Sequence, residues 1–260
     1  MIAIARLAAL SLALALAAAP SGNAAAAGQD ERFADANAAY EAGDFQKAAD
    51  TYRAIAEDGH LAPGLFYNLG NAEFRLGAQG RAALWYRRAA ALDPAFAEAD
   101  QNLRYLTDQQ GVVRFEPGPA GKFGGLLPRS TWAVLLAAFG WTAAAALAAR
   151  LLIRRSGALW GTAFGIAAAG GIVALGGWIA NGLRPEIRDL AVVVAPADIQ
   201  VRTAPADSAP SAIGLRPGSE VRQLDARGGW TYVETPGGTR GWIKADACEA
   251  LWPWEPGLAG

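Results

Sequence analysis

Four textures of apolar and polar residues succeed one another along the chain. After Arg6 comes a short apolar run, Leu7 to Ala19. From near Gln29 to Leu106, apolar residues recur at helical spacing, and the pattern itself returns after 34 positions: Gly43 and Gly77, Ala48 and Ala82, Tyr52 and Tyr86. Two long apolar stretches follow, Trp132 to Ile153 and Ala158 to Ile179, each about 22 residues. From Leu190 the pattern shortens to LAVVVA, DIQVRTAP, SEVRQLD, WTYVET and RGWIKAD, with Pro217-Gly218, Gly228-Gly229 and Gly237-Gly238 between the later runs. Helices are predicted for the second and third textures and short strands joined by tight turns for the fourth.

The 34-residue period resembles the tetratricopeptide repeat, in which a pair of helices buries its apolar face only by stacking on neighbours. In the second unit Phe66, Leu69 and Gly70 fall on the first helix, Gly77 closes the turn, and Ala82, Tyr86, Ala89 and Pro94 follow. The first unit keeps Ala36, Gly43, Ala48 and Tyr52 but has Arg32 and Asp35 where large apolar residues are usual. It is the degenerate end unit, and Ala97 to Leu106, with Leu103 and Leu106 on one face, is the expected closing helix. First-helix positions of such units line a concave groove. Here they are Asn37, Tyr40, Tyr67, Asn68, Asn71, Phe74 and Arg75, with Asn102 on the closing helix. Asparagine offers donor and acceptor to an extended peptide, and Arg75 a partner for a carboxylate; the same asparagines could instead tie neighbouring helices together.

The two long stretches are long enough for about 30 Å of hydrocarbon. Arg150, Arg154 and Arg155 between them place that loop in the cytoplasm, so both flanking parts face outward. Residues 1–27 have the layout of a cleaved signal peptide, with Asn23 to Ala27 as the cleavage region, and this agrees with the loop charge. Trp132, Trp160 and Trp178 are expected at the membrane interfaces or as filling of apolar space. Gly161 and Gly165 have the spacing of close helix contacts. Gly111 to Pro128, rich in glycine and proline, is expected to be a linker without helical character.

The β-rich region, residues 190–252, looks like a bacterial SH3 domain on its VRTAP, LRPGSEV, GGWTYVE and GTRGWI elements. Trp230, Tyr232 and Trp242 are candidates for an aromatic ligand surface. So small a barrel needs one or two of them in its core; Trp242 is the expected core ring, and both places stand for Trp230. The tail, with Trp252 and residues 253–260, is expected either to pack back on the barrel or to extend as a proline-rich segment.

Composition narrows function. Of 260 residues 53% are hydrophobic and only 9% aromatic, so much of the apolar content is alanine, as in a modular membrane protein. Twenty-three basic against 24 acidic residues, without a basic cluster outside the short loop of Arg150, Arg154 and Arg155, disfavour nucleic acid. Residues 28–110 carry about five more acidic than basic residues, a bias toward basic partners. His60 and Cys248 are the sole histidine and cysteine, and no HExxH, GxSxG or P-loop motif occurs. No catalysis, metal or cofactor is therefore expected.

The order of signal peptide (1–27), tetratricopeptide solenoid (28–110), linker (111–130), two-helix transmembrane hairpin (131–180) and all-β SH3-like barrel (190–252) resembles BatE, of the bacterial aerotolerance operon family. FYNLGNAEFRLG and AALWYRRAAALDP carry much of that likeness. The resemblance implies an inner-membrane scaffold with both soluble parts in the periplasm. The implied partners are von Willebrand A-domain membrane proteins and a MoxR-type ATPase system. The alternative is a cell-wall receptor whose barrel binds peptidoglycan while the repeats recruit a cell-wall enzyme.

Overall fold

The structure is a computed structural model and describes residues 24–152, 157–182 and 189–254. The body of the expected signal peptide, Arg154 and Arg155, and the end of the tail lie outside the described residues. Helices α1 (Ala24–Glu41) and α2 (Phe45–Glu57) form one antiparallel pair, α3 (Pro63–Arg75) and α4 (Gln79–Leu92) the next, and α5 (Ala97–Gln110) lies on α4. The turns inside both pairs close identically. Gly43 and Gly77 are left-handed (φ 82 and 78), Gly43 N–H bonds to Tyr40 and Asp44 N–H to Ala39, and Gly77 and Ala78 repeat this with Phe74 and Glu73. Glycine is required because this Schellman closure needs positive φ. The Asp44 carboxylate then caps α2 through Lys47 N–H at 3.1 Å.

Small residues set the spacing within the second pair. A Cβ on Gly70 would lie 2.6 Å from the Tyr86 ring, so only glycine admits that aromatic. Ala36, Ala48, Ala82 and Ala89 are fully buried around Tyr52, Phe66 and Leu69. Glu73 is buried too, its two oxygens held by Arg53 at 2.6 Å and Arg81 at 2.9 Å, which fastens α2, α3 and α4. In the first unit Arg32 pairs with Asp58 at 2.6 Å on the surface.

The segment after α5 departs from the expected irregular linker. Residues 112–115 run along the barrel, and Pro119–Gly124 forms the short helix α6, packed on α8. Helices α7 (Arg129–Leu152) and α8 (Gly157–Gly182) make an antiparallel hairpin. Their apolar stretches, Arg129–Ala149 and Leu159–Asn181, each have mean hydropathy 1.8 and are long enough to cross a membrane. Trp141, Leu159, Ile166 and Ile172 are more than seven-tenths exposed, an apolar sheath that water would disfavour. Gly165, of the expected pair, is not where the hairpin closes. Gly170 and Gly177 sit under the rings of Phe139 and Trp132, whereas a Cβ on Gly165 would meet nothing. Trp132 is accordingly buried, donating Nε1–H to Gly124 C=O at 3.0 Å, so its ring fills apolar space within the protein. Asn181 Nδ2 donates to the same carbonyl at 2.9 Å, tying α8 to the start of the hairpin.

The C-terminal sheet is antiparallel, in the order β3-β2-β6-β5-β4-β1-β7. Its strands are β1 (Leu190–Val193), β2 (Ile199–Arg202), β3 (Ser211–Leu215), β4 (Glu220–Arg227), β5 (Trp230–Glu234), β6 (Arg240–Lys244) and β7 (Cys248–Ala250). Strands β3 and β7 had no clear sequence signal: SAIGL is exposed along most of its length, and CEA has three residues. Ala191, Val193, Val201, Leu215, Val221, Val233 and Ile243 fill the barrel.

Strand β1 is buried on both faces, which explains why LAVVVA does not alternate. Ala191 and Val193 face the barrel, while Leu190 and Val192, with Leu251, belong to the core of the helices. The apolar core of α1–α5 thus runs past residue 110 into the barrel. The tail packs on the helices: the Trp254 ring stacks on Phe66 at 5.4 Å and meets Trp252 edge-on at 5.0 Å.

Candidate functional site

Alternation along β5 turns Trp230, Tyr232 and Glu234 outward and Thr231 and Val233 inward. On β6 the outward residues are Arg240, Trp242 and Lys244. Trp242 is therefore a half-buried ring of the outer face, and the expected core position falls to Ile243. Register places Tyr232 opposite Trp242 and Trp230 opposite Lys244. The first pair of rings is 5.0 Å apart at 42°, and the Lys244 ammonium lies 6.0 Å from the Trp230 ring. Beside them Arg240 and Arg222 both bond Glu234, at 2.9 Å each, and hold its carboxyl below the ordinary value. Trp230 also walls a groove of about 430 Å³ whose rim carries Asp198, Asp207, Asp246, Arg202 and Lys244.

The asparagines expected in the helical groove form rungs between helices. Asn37 Oδ1 accepts from Tyr52 Oη at 2.6 Å and Asn68 Nδ2 at 3.2 Å; 34 residues on, Asn71 Oδ1 accepts from Tyr86 Oη at 2.8 Å and Asn102 Nδ2 at 3.2 Å. Burial raises the Tyr52 hydroxyl to about 12 and Tyr86 further, so both remain donors at neutral pH. The four asparagines are half-buried. The remaining expected residues make an aromatic and cationic margin: Arg75 lies over Phe45 at 4.4 Å, Phe45 meets Tyr40 at 5.2 Å, and Phe74 meets the half-exposed Tyr105 at 6.1 Å. Tyr67 packs between Tyr86 and Phe96.

A third cluster has no counterpart among the expected residues. Where the barrel meets α4, Arg88 is 1% exposed. It donates Nε–H to Leu251 C=O at 3.0 Å and Nη2–H to Ala250 C=O at 2.9 Å and Glu249 at 2.8 Å. Its guanidinium lies 4.4 Å from the Trp85 ring and 5.0 Å from that of Trp254. Glu220, buried at the start of β4, receives Arg87 Nε at 2.7 Å and Phe115 N–H at 3.0 Å, with Arg114 at 3.6 Å. The backbone adds Glu220 N–H to Val113 C=O at 2.8 Å. A Cβ on Gly80 would come within 2.6 Å of Val193 C=O, so helix and strand backbones nearly touch. An arginine on the apolar stripe of α4, three residues after Trp85 and one before Ala89, is the sequence signal that points to this seam.

No group of three or more histidine, cysteine or acidic residues that could hold a metal occurs among the described residues. Burial raises the Cys248 thiol, away from a reactive thiolate. Compared with known proteins, residues 197–247 match the family model of the bacterial SH3 domain, which covers β2 to the residues just before β7. No curated protein and no solved structure matches significantly. The barrel is therefore similar to a module that binds proteins or peptidoglycan, and the outward tryptophan groove is its candidate contact face.

Proposed function

We propose that this chain is a membrane-anchored scaffold facing the periplasm, in which two tetratricopeptide units and the SH3-like barrel act together in protein–protein contacts of an envelope complex. One observation carries the reading: the barrel is docked through Arg88 and Glu220 onto helices that precede both apolar spans. A docked pair lies on one side of a membrane, and the intervening hairpin then crosses it twice. The arginines around residues 150–155 favour the cytoplasm for its turn, which turns the docked body outward. No catalytic role is assigned, since the clustered ionisable groups here serve packing and docking. The resemblance to BatE supplies the finer expectation of von Willebrand A-domain partners, a MoxR-type ATPase system and a role in aerotolerance.

The test is affinity capture of the tagged full chain from detergent-solubilised membranes, with recovered proteins identified by mass spectrometry. A-domain membrane proteins are expected; their absence, with a murein hydrolase or synthase recovered and the chain sedimenting with sacculi, would favour the cell-wall receptor. That second reading draws on the bacterial SH3 match and the exposed aromatic face. A reporter fused after Gly260 should require export, and one inserted at Ser156 should be active only in the cytoplasm; the reverse pair would refute the orientation.

A further inference from the structure

Resting on the reading of this chain as membrane-anchored, we propose that residues 119–127, which lead into the first span, form a foot lying in the outer interface of the bilayer, with Phe123 and Leu126 set among the lipid chains. The scaffold reading alone requires no such insertion, since a connecting segment can equally stand in water. The segment is, however, furnished with its own hydrogen-bond partners. Lys122 N–H bonds to Gly118 C=O and Gly125 N–H to Gly121 C=O, both at 2.9 Å, and Leu126 N–H to Phe123 C=O at 3.2 Å. Gly124 C=O accepts from Trp132 Nε1 at 3.0 Å and Asn181 Nδ2 at 2.9 Å, and Leu127 C=O accepts from the same amide at 3.3 Å. Both donors belong to the spans, Trp132 to α7 and Asn181 to α8. Backbone satisfied in this way tolerates a medium poor in water, whereas in an aqueous loop water would serve the same carbonyls.

Packing fixes the height of the foot. A Cβ on Gly124 would lie 2.5 Å from Asn181 N, so the segment is pressed against the end of α8. The Phe123 ring lies 5.5 Å from that of Trp132 and rests against Gly176, and Ile172 and Ile179, one turn to either side of Gly176, are 72% and 41% exposed. The apolar sheath of the spans thus continues onto the foot, where Phe123 is 38% and Leu126 67% exposed. Arg129, at the start of α7, lies over the Trp178 ring at 4.7 Å, a cation and an indole together at the level where headgroups begin. The contact is apolar and about 5–10 Å deep, as for other interfacial segments. Lys122 is paired with the exposed Glu116 at 3.5 Å, so no anionic headgroup is called for and a zwitterionic bilayer suffices.

The test is hydroxyl-radical footprinting of the unlabelled full chain, held singly in phosphatidylcholine nanodiscs and read by mass spectrometry. Leu224 on the barrel, 44% exposed, is the aqueous reference, and Ile172 in α8 the lipid reference. By protein surface alone Leu126 would be oxidised faster than Leu224; in the disc it is expected to be oxidised more slowly. Leu126→Asp should lift the foot into water, raising oxidation of Phe123 while Ile172 stays protected. Oxidation of Leu126 at or above the Leu224 rate, with Ile172 protected, would sink the foot and leave the anchored scaffold standing. Oxidation of Ile172 at the rate of Leu224 would sink the membrane reading, and the foot with it. Unchanged oxidation of Phe123 in the aspartate variant would overturn the proposal. So would protection of Leu126 confined to discs holding two chains, which would assign this face to a second copy.

Discussion

Replacing Arg88 by alanine should open the seam between barrel and helices without unfolding either side. The native guanidinium satisfies the carbonyls of Ala250 and Leu251 and reaches Glu249, with indole rings on two sides. In the alanine variant two buried acceptors lose charged donors at about 1–3 kcal/mol each, and two cation–π contacts add about 1 kcal/mol. Against this stands the relief of arginine burial, which depresses its pKa, while Glu249, half exposed, keeps its hydration. The balance is a loss of about 2–4 kcal/mol, a rise of about 30- to 700-fold in the open population. Hydrogen exchange of the full chain in micelles reads this at the opposite end of the seam, where Glu220 N–H bonds to Val113 C=O. Exchange at Glu220 should accelerate, while Thr231 and Val233 inside the barrel keep their protection. Arg88→Met, which retains apolar volume, should show a smaller effect. An unchanged Glu220 rate in the alanine variant would refute the claim that Arg88 holds the two parts together.

Gly70→Leu should lower the melting temperature of the full chain, because a side chain there enters the Tyr86 ring; overpacking of this kind costs about 1–3 kcal/mol, and an unaltered melting curve would refute the packing described. Alkaline titration should expose Tyr52: burial pushes its folded pKa up to about 12, above the ordinary tyrosine value of about 10, so its contribution to stability is complete below pH 10 and is lost as pH rises toward 12. The tyrosinate absorbance that Tyr52→Phe removes from the full chain should therefore appear together with loss of helical circular dichroism in that window, and a Tyr52 contribution near pH 10 without loss of helix would contradict the burial. Arg75→Ala with Tyr105→Ala should reduce partner capture without loss of helicity, whereas Asn71→Ala should cost stability first, since its oxygen serves Tyr86 and Asn102. If Trp230→Ala alone abolishes capture, recognition resides in the barrel and the helices only position it.

What was legible in sequence was whatever repeats or alternates. Gly43 and Gly77 announced their turns because left-handed backbone at a helix end selects glycine, and WTYVE announced β5 because one face of it is wet. The asparagine positions could be located but not interpreted: Asn37, Asn68, Asn71 and Asn102 carry the same spacing whether they bind a ligand or a neighbouring tyrosine. Trp242 was misplaced because hydrophobicity favours the core, whereas the parity of β6 gives that place to Ile243. The seam was illegible because Arg88 and Leu251 are 163 residues apart, and no local pattern encodes a contact across so long an intervening stretch.

That separation imposes an order on synthesis. The helical unit leaves the ribosome first, yet Leu190, Val192 and Leu251, which complete its core, arrive only after both apolar spans have been made. Until then the Arg88 face of α4 stands open, an uncovered apolar strip carrying a charge, during the whole interval in which the two apolar helices are being made. On the proposed topology, completion of the helical core therefore follows insertion: a chain whose second span failed to enter would hold its barrel on the other side of the membrane from the helices and leave their Arg88 face uncovered.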